Sequence, residues 1–201
     1  MSGIIAQNTL DNSGLIKAPA GGAWNFISKQ TASADATIDF TSGIDSTYKE
    51  YLFTLNNIHP SDDGQVFRVN FRDGSTAYDA VKTTTSFRSY HDEGDTATAL
   101  EYVTSEDLAQ GTGVQHIANS GSDNDQCMIG YLHLFNPSST TFVKHFIIRT
   151  NSSHSADYTN EWFVAGYCNT TTAIDGVQFS FASGTIDAGD ICLYGLTTWQ
   201  E

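Results

Sequence analysis

The chain has 201 residues, of which 39% are hydrophobic and only 16% charged, and its net charge is −14. This balance excludes a disordered polyelectrolyte, and so negative a surface repels nucleic-acid phosphates and anionic lipid, which excludes both as main partners. The polar residues are mainly Thr, Ser, Asn, Asp and Gly, which favour turns and β-surfaces over helices. We therefore expect a soluble, all-β protein.

Residues 1–23 are small and polar, and Gly14, Pro19 and Gly21 interrupt any periodicity. We predict an N-terminal arm here, which either lies on a neighbouring subunit or is disordered, as terminal segments often are. The first ten residues lack the basic and apolar regions of a signal peptide. No window approaches the roughly 18 apolar residues of a membrane span. We therefore expect neither a secretory leader nor a membrane anchor.

From Trp24 onward, short apolar runs alternate with turn signals, a pattern typical of a sandwich or barrel. In Val66–Arg72, Phe67, Val69 and Phe71 point one way, with the period of two of a half-buried strand. The other predicted strands are Trp24–Ser28, Ala36–Phe40, Tyr48–Ile58, Cys127–Phe135, Phe142–Arg149, Trp162–Cys168, Ile174–Phe181 and Ile191–Leu196. Cys127–Phe135 is apolar on both faces, which suits a central strand. We predict a single antiparallel β-sandwich domain of about eight to ten strands over residues 24–201.

The pattern fails between Lys82 and Gln126, where the chain is polar, acidic and rich in glycine. A long irregular insertion in a compact domain is either functional or disordered, so we predict a loop insertion over residues 82–126 and look for ligand contacts there. The candidates are Tyr90, His91 and Tyr102, because an exposed aromatic ring offers an apolar face to a sugar. The more usual role of such tyrosines is in the core, and that interpretation stays ahead of a ligand contact.

Local signatures of catalysis are absent: the sequence has no phosphate-binding P-loop, no nucleophile elbow and no His-Glu-x-x-His zinc motif. His133 and His145 lie on the two strands of one predicted hairpin, and we expect cross-strand polar histidines there in preference to metal ligands. The acidic run 91–95 lacks the full ligand series of an EF-hand. We therefore expect no enzyme activity, no cofactor and no metal; a small hydrolase is an alternative without support.

The three cysteines, Cys127, Cys168 and Cys192, have no metal-type spacing and cannot all pair with one another. Each lies in a strand-like run, so we expect buried free thiols. Free thiols are typical of a protein made in a reducing cytoplasm.

Three segments carry a resemblance to known proteins. Residues 13–24 (SGLIKAPAGGAW) with 27–33 (ISKQTAS) resemble the opening of small virion proteins of tailed phages, including marine and cyanobacterial ones. Residues 184–196 (GTIDAGDICLYGL) resemble the closing hairpin of the same group, and so does the region from Asp39-Phe40 through Asp45-Ser46-Thr47-Tyr48 to Tyr51. The resemblance implies a jelly-roll-like domain on the exterior of a phage particle.

The resemblance predicts a virion structural protein, either a capsid decoration or part of a tail appendage, that acts through subunit–subunit contacts. Its partners would be copies of itself, expected as a trimer, and other virion proteins, after synthesis in the host cytoplasm. The alternative is a receptor-binding tail-fibre module that binds host-surface glycan through residues 82–126. Fold-level analogy does not choose between these roles.

Overall fold

The computed structural model describes residues 24–196, so the predicted arm over residues 1–23 and the last five residues lie outside the described part. Twelve strands occur in this part, two more than the largest number predicted from the sequence. They are β1 Trp24–Thr31, β2 Ile38–Phe40, β3 Glu50–Pro60, β4 Gln65–Arg72, β5 Lys82–Asp92, β6 Thr98–Tyr102, β7 Gln115–Ser120, β8 Met128–Phe135, β9 Lys144–His154, β10 Tyr158–Cys168, β11 Gly176–Phe181 and β12 Ile186–Leu196. A single 3-10 turn, Thr104–Glu106, lies between β6 and β7.

The strands form two antiparallel sheets packed against each other, which confirms the predicted all-β sandwich. The larger sheet has eight strands in the order β1-β12-β3-β8-β9-β10-β5-β6, and the smaller has four in the order β2-β11-β4-β7. Strand β10 pairs with β9 on one side and with β5 on the other over eleven residues, without a slip in register. The jelly-roll connectivity that the resemblance implies stays a prediction.

The hydrophobic core lies between the two sheets. Phe67, Val69 and Phe71 of β4 are fully buried, as their alternation predicts. Across the interface Phe53 of the larger sheet meets Phe179 of the smaller sheet edge to face, with ring centres 5.8 Å apart. Burying a large apolar side chain contributes about 1.5–3 kcal/mol relative to leaving it exposed, so this aromatic layer holds the sheets together.

Residues 82–126 require a correction, because they do not form one irregular polar insertion. They supply β5 and β6 to the larger sheet and β7 to the smaller one, and the glycines of the segment lie outside these strands. The inward positions of β5 are polar: Lys82, Thr84 and Ser86 are all buried. A strand whose buried side chains are polar shows no apolar alternation, so the hydrophobic pattern does not reveal it.

Hydrogen bonds compensate for the burial of these polar groups. Lys82 Nζ donates to Asn70 Oδ1 over 2.5 Å and to the carbonyl of Ala80 over 2.7 Å. The backbone amide of Leu108 donates to Thr84 Oγ1 over 2.8 Å. Because buried polar groups are stable only when they are paired, these bonds explain how a polar strand lies inside the sandwich.

The three cysteines are free, as expected. Cys168 and Cys192 are buried, whereas Cys127 is only half-buried. Burial raises the pKa of the Cys168 thiol to about 12, so this thiol is protonated at neutral pH and chemically inert.

Candidate functional site

The larger sheet has one side packed against the smaller sheet and a second side, the outer face, that points away from it. Strand alternation and register assign side chains to this outer face. Ten large hydrophobic side chains of the described residues are exposed, and eight of them lie on the outer face, which concentrates apolar surface there. These eight are Trp24, Phe26, Phe87, Leu100, Tyr102, Ile129, Tyr131 and Ile147.

An aromatic patch occupies one half of the outer face, where β6, β5, β10, β9 and β8 lie side by side. Phe87 of β5 and Phe163 of β10 are paired in register, and their rings stack with centres 4.7 Å apart. Arg149 of β9 lies over the ring of Phe163, with its Cζ 5.1 Å from the ring centre. An open depression of about 280 Å³ lies here, lined largely by apolar side chains that include Ile147.

A second aromatic patch covers the other half of the outer face. The ring of Trp24 meets His133 edge-on with centres 5.6 Å apart, and Phe26 meets Tyr194 in the same way at 5.7 Å. Tyr131 contacts His133 at 5.3 Å. A depression of about 400 Å³ lies beside them. The two patches meet at Tyr131, so apolar surface continues across the face.

The charged side chains of the outer face are paired with one another. Arg149 Nε lies 2.5 Å from Glu161 Oε1, and His133 Nδ1 lies 2.6 Å from Glu50 Oε1. At the β1 edge Lys29 and Asp190 approach within 3.2 Å. Hydrogen bonding to Glu161 raises the pKa of Arg149, so its charge is retained. The face therefore offers a partner aromatic surface with few unpaired charges.

At the end of the face near the β5–β6 turn, the apolar surface gives way to a polar cleft of about 580 Å³. Asn151 Nδ2 donates to Thr159 Oγ1 over 2.9 Å inside it. Hydroxyl, amide, imidazole and carboxylate groups thus lie within one open depression, and these groups can both donate and accept hydrogen bonds. The cleft is lined by Ser89, Tyr90, His91, Thr98, Ala99, Leu100, Asn151, Thr159 and Glu161.

The three residues singled out from the sequence lie in different environments. His91 is exposed at the polar cleft, with Nε2 3.1 Å from Asp95 Oδ1. Tyr102 is also exposed on the outer face, but it lies opposite Phe87, four residues further along the β5–β6 ladder, and its hydroxyl bonds Asp107.

The surroundings of Tyr90 differ from those of both His91 and Tyr102. It borders the cleft, yet its ring packs against Tyr158 with centres 5.3 Å apart, and Arg88 Cζ lies 5.4 Å from its centre. On the paired strands Tyr90 lies opposite Ala99, whereas Tyr102 lies opposite Phe87. The two tyrosines therefore point to opposite sides of the sheet and do not form a common platform.

The acidic run 91–95 forms the turn of the β5–β6 hairpin. The carboxylate of Asp92 accepts hydrogen bonds from the hydroxyl and amide of Thr96 and from the amide of Ala97, which lower the pKa of Asp92. Among residues 24–196, no three His, Cys, Asp or Glu side chains form a group that could hold a metal ion. His133 and His145 do not pair with each other, because His133 lies opposite Ile147 and bonds Glu50.

Sequence reasoning missed most of the outer face. Phe87 and Phe163 are 76 positions apart in the chain and meet only through the β5–β10 register. One signal was present, because Cys127–Phe135 is apolar on both faces. The structure places β8 inside the larger sheet, with Ile129 and Tyr131 exposed on its outer side. The apolar pattern on both faces of this strand is thus consistent with two features: a central position in the sheet and an exposed apolar outer face.

The observed class is an antiparallel β-sandwich with unequal sheets and one aromatic, charge-paired outer face. Comparison of the chain with protein-family models and with curated proteins gives no match. Within residues 24–196, no helix has the length and hydrophobicity needed to cross a membrane.

Proposed function

We propose that this protein is a non-enzymatic structural subunit on the exterior of a phage particle, as a capsid decoration or part of a tail appendage. It acts through contacts between subunits. The observation that carries this proposal is the outer face, where eight exposed hydrophobic side chains, Ile147 among them, lie on one side of one sheet. Monomeric soluble proteins rarely expose contiguous apolar patches larger than a few hundred Å², so a face of this kind favours an assembly contact.

The assignment to a phage particle rests on the resemblance of three segments, and two of these supply structural residues of the sandwich. In the first of the two, the Tyr51 hydroxyl donates to the carbonyl of Asp45 over 3.0 Å and accepts from its amide at 3.0 Å. In the second, Gly195 of β12 faces the ring of Tyr48, and a Cβ there would lie 2.1 Å from a ring carbon. Two of the resembling segments therefore carry residues that this chain needs for its own fold.

Imaging of phage particles tests this function. Particles carrying a label at Glu201 would be examined by negative-stain electron microscopy, with unlabelled particles as the control. We expect label at regular intervals on the head surface or on a tail appendage. Particles that bear label on neither would contradict the proposal.

The polar cleft favours a second candidate function, recognition of a host-surface glycan. A sugar ring packs its apolar face on an aromatic side chain while neighbouring polar groups bond its hydroxyls. Tyr102, Phe87 and Phe163 supply the aromatic surface, and Asn151 and Glu161 supply polar groups beside it. This combination is the chemistry that a glycan site requires.

A glycan array with matched variants tests the second function. We expect Tyr102→Ala and Asn151→Ala each to weaken binding by about tenfold, the effect of losing one aromatic or hydrogen-bonding contact. Phe142→Ala is the control, because Phe142 is exposed in the loop between β8 and β9 and lines neither the cleft nor the depression of the aromatic patch. Absence of any bound glycan, or binding that all three variants retain, would exclude this function.

A further inference from the structure

We infer that the outer face of the larger sheet binds the outer face of a second copy of this chain. This inference rests on the proposed function and names the partner of its contact surface. The occupant must match a face that is broad, aromatic and nearly neutral. A second copy supplies a face with all three properties.

The size of the outer face meets the requirement of a stable interface. Eight strands about 4.8 Å apart have seven spacings and span about 34 Å, and eleven-residue strands such as β9 run about 36 Å. Shorter edge strands reduce the area, which leaves a face on the order of 1,000 Å². Stable protein–protein interfaces bury about 800 Å² per partner, so one such face is large enough.

The distribution of charge distinguishes a copy of the chain from a charged partner. Strand residues of the outer face include two basic groups, Lys29 and Arg149, and four acidic ones, Glu50, Glu161, Asp187 and Asp190. Since the whole chain has 9 basic and 23 acidic residues, 7 basic and 19 acidic residues remain elsewhere. The face therefore carries a net charge of −2 and the rest of the chain −12.

Because the charged side chains of the outer face already pair with one another, two copies of this face can pack together. A basic partner would gain little from Glu161, which already binds Arg149, or from Asp190, which already binds Lys29. An identical face instead brings aromatic surface against aromatic surface without juxtaposing unpaired like charges. Packed sheets lie about 10 Å apart with interdigitating side chains, and half-exposed Ile147 of β9 protrudes near the middle of the face for such packing.

The charge of the remaining surface gives the contact an unusual salt dependence. Two chains with a net charge of −14 each repel one another at low ionic strength. Salt screens this repulsion, with a Debye length of about 10 Å at 0.1 M, and leaves the apolar contact in place. Self-association should therefore strengthen with salt, whereas an interface of complementary charges weakens with salt.

Sedimentation velocity and light scattering of the full chain test the inference over a concentration series at about 50 mM and about 500 mM NaCl. We expect a dimer with twice the 21.8 kDa mass of the chain, because two identical faces packed together form a closed pair, and a dissociation constant at least about threefold lower at high salt. Ile147→Glu should raise that constant by about 100-fold, because it places a carboxylate in the centre of the contact. Phe26→Glu provides a second test at the β1 edge, where Phe26 is 61% exposed.

Val114→Glu is the matched control, because Val114 is an exposed aliphatic residue directly before β7 of the smaller sheet. It should leave the association unchanged. A chain that stays monomeric at every concentration and salt, or an oligomer that Ile147→Glu and Phe26→Glu leave intact, would overturn the inference. A monomer that nevertheless labels phage particles would overturn only the self-contact, whereas an oligomer that labels no particle would overturn the proposed function.

Discussion

Lys82 is a fully buried lysine whose neighbours on the ladder are Cys168 of β10 and, on the far side of Cys168, Lys144 of β9. Burial lowers the pKa of Lys82 to about 8, because the charged ammonium loses its contact with water. It lowers the pKa of Lys144 as well. The same burial raises the pKa of Cys168 to about 12. This row of three side chains makes the stability of the fold sensitive to alkaline pH.

The free energy of unfolding should rise between pH 8 and pH 9. The folded chain releases the Lys82 proton near pH 8 and the unfolded chain near 10.5, so the unfolded state binds more protons between these values and stability increases with pH. Cys168 lowers the free energy of unfolding between pH 9 and about 12, because the folded state retains the thiol proton to a higher pH than the unfolded state does. The sum is a rise of at most about 1 kcal/mol up to pH 9 and a fall above 10.5.

Urea denaturation at closely spaced pH values measures this profile. The Lys82→Met variant removes one titrating ammonium and should remove most of the rise between pH 8 and pH 9; Lys144, whose pKa burial also lowers, accounts for the part that remains. If the variant retained the rise, the assignment to Lys82 would be wrong.

His116 gives the fold a second pH dependence, on the acid side. It is buried on β7, with Nδ1 2.9 Å from Glu106 Oε2 and its ring 4.3 Å from that of Trp162. Burial lowers the pKa of His116 below 6.5, although Glu106 acts in the opposite direction. The unfolded chain therefore takes up this proton first, and the free energy of unfolding should fall as the pH drops below about 6.5.

Thermal melts at pH 7.5 and pH 5.5 measure this loss. His116→Gln should reduce the difference between the two melting temperatures, because glutamine does not titrate. His154, whose pKa burial also lowers, accounts for the part that remains. An equal difference in the wild type and His116→Gln would rule out the role of His116.

At the scale of elements, Gly189 of β12 shows how one strand accommodates an irregular register. The β12–β3 register shifts on both sides of Ala188, and Gly189 has a φ of +118° there. A Cβ at this position would lie 2.6 Å from the carbonyl oxygen of Asn57 on the neighbouring strand. Only glycine fits both the backbone conformation and the close approach.

Gly189→Ala should lower the free energy of unfolding by about 1–3 kcal/mol, because alanine strains the backbone and forces β12 away from β3. Gly113→Ala is the matched control: Gly113 lies in a loop, and the nearest atom to an added Cβ is 3.9 Å away. Urea midpoints of both variants give the comparison. Equal losses in the two variants would show that the bulge imposes no special requirement.

The elements that could be predicted from the sequence are those with apolar inward positions. Phe67, Val69 and Phe71 identified β4, and the strands of the second half were identified in the same way. Strand β5 escaped detection because its inward positions include Lys82 and Ser86. Periodicity reports the polarity of a buried face and gives no signal where hydrogen bonds replace apolar contacts.

The candidate site could be predicted from the sequence only in part, for a different reason. His91 and Tyr102 attracted attention because they lie in a polar segment rich in turn residues. The stack of Phe87 on Phe163 depends on a register between two strands distant in sequence, which local patterns do not encode. Exposure of the outer face is also a property of the assembled sheets, so no single strand reveals it.

At the scale of the whole molecule, electrostatic repulsion acts against folding as well as against association. The net charge of −14 is carried mostly outside the outer face, and bringing these charges together in the folded state costs free energy. The ion pairs of Arg149 with Glu161 and of Lys29 with Asp190 are partly exposed and contribute at most about 1 kcal/mol each. Salt weakens both the repulsion and the ion pairs. The stability gained from weaker repulsion between the many unpaired acidic residues therefore exceeds the stability lost from the weaker ion pairs.

The melting temperature of the monomer should accordingly rise with salt. A gain of 1 kcal/mol corresponds to about 2–4 °C for a chain of this size, so we expect a rise of a few degrees between about 20 and about 200 mM NaCl. The measurement is made on the Ile147→Glu variant, in which the proposed contact is broken, so that association does not contribute to the melting temperature. Sodium chloride suits the test better than sulfate, which also strengthens apolar burial. A melting temperature that falls with NaCl would mean that the ion pairs stabilise the fold more than the net charge destabilises it.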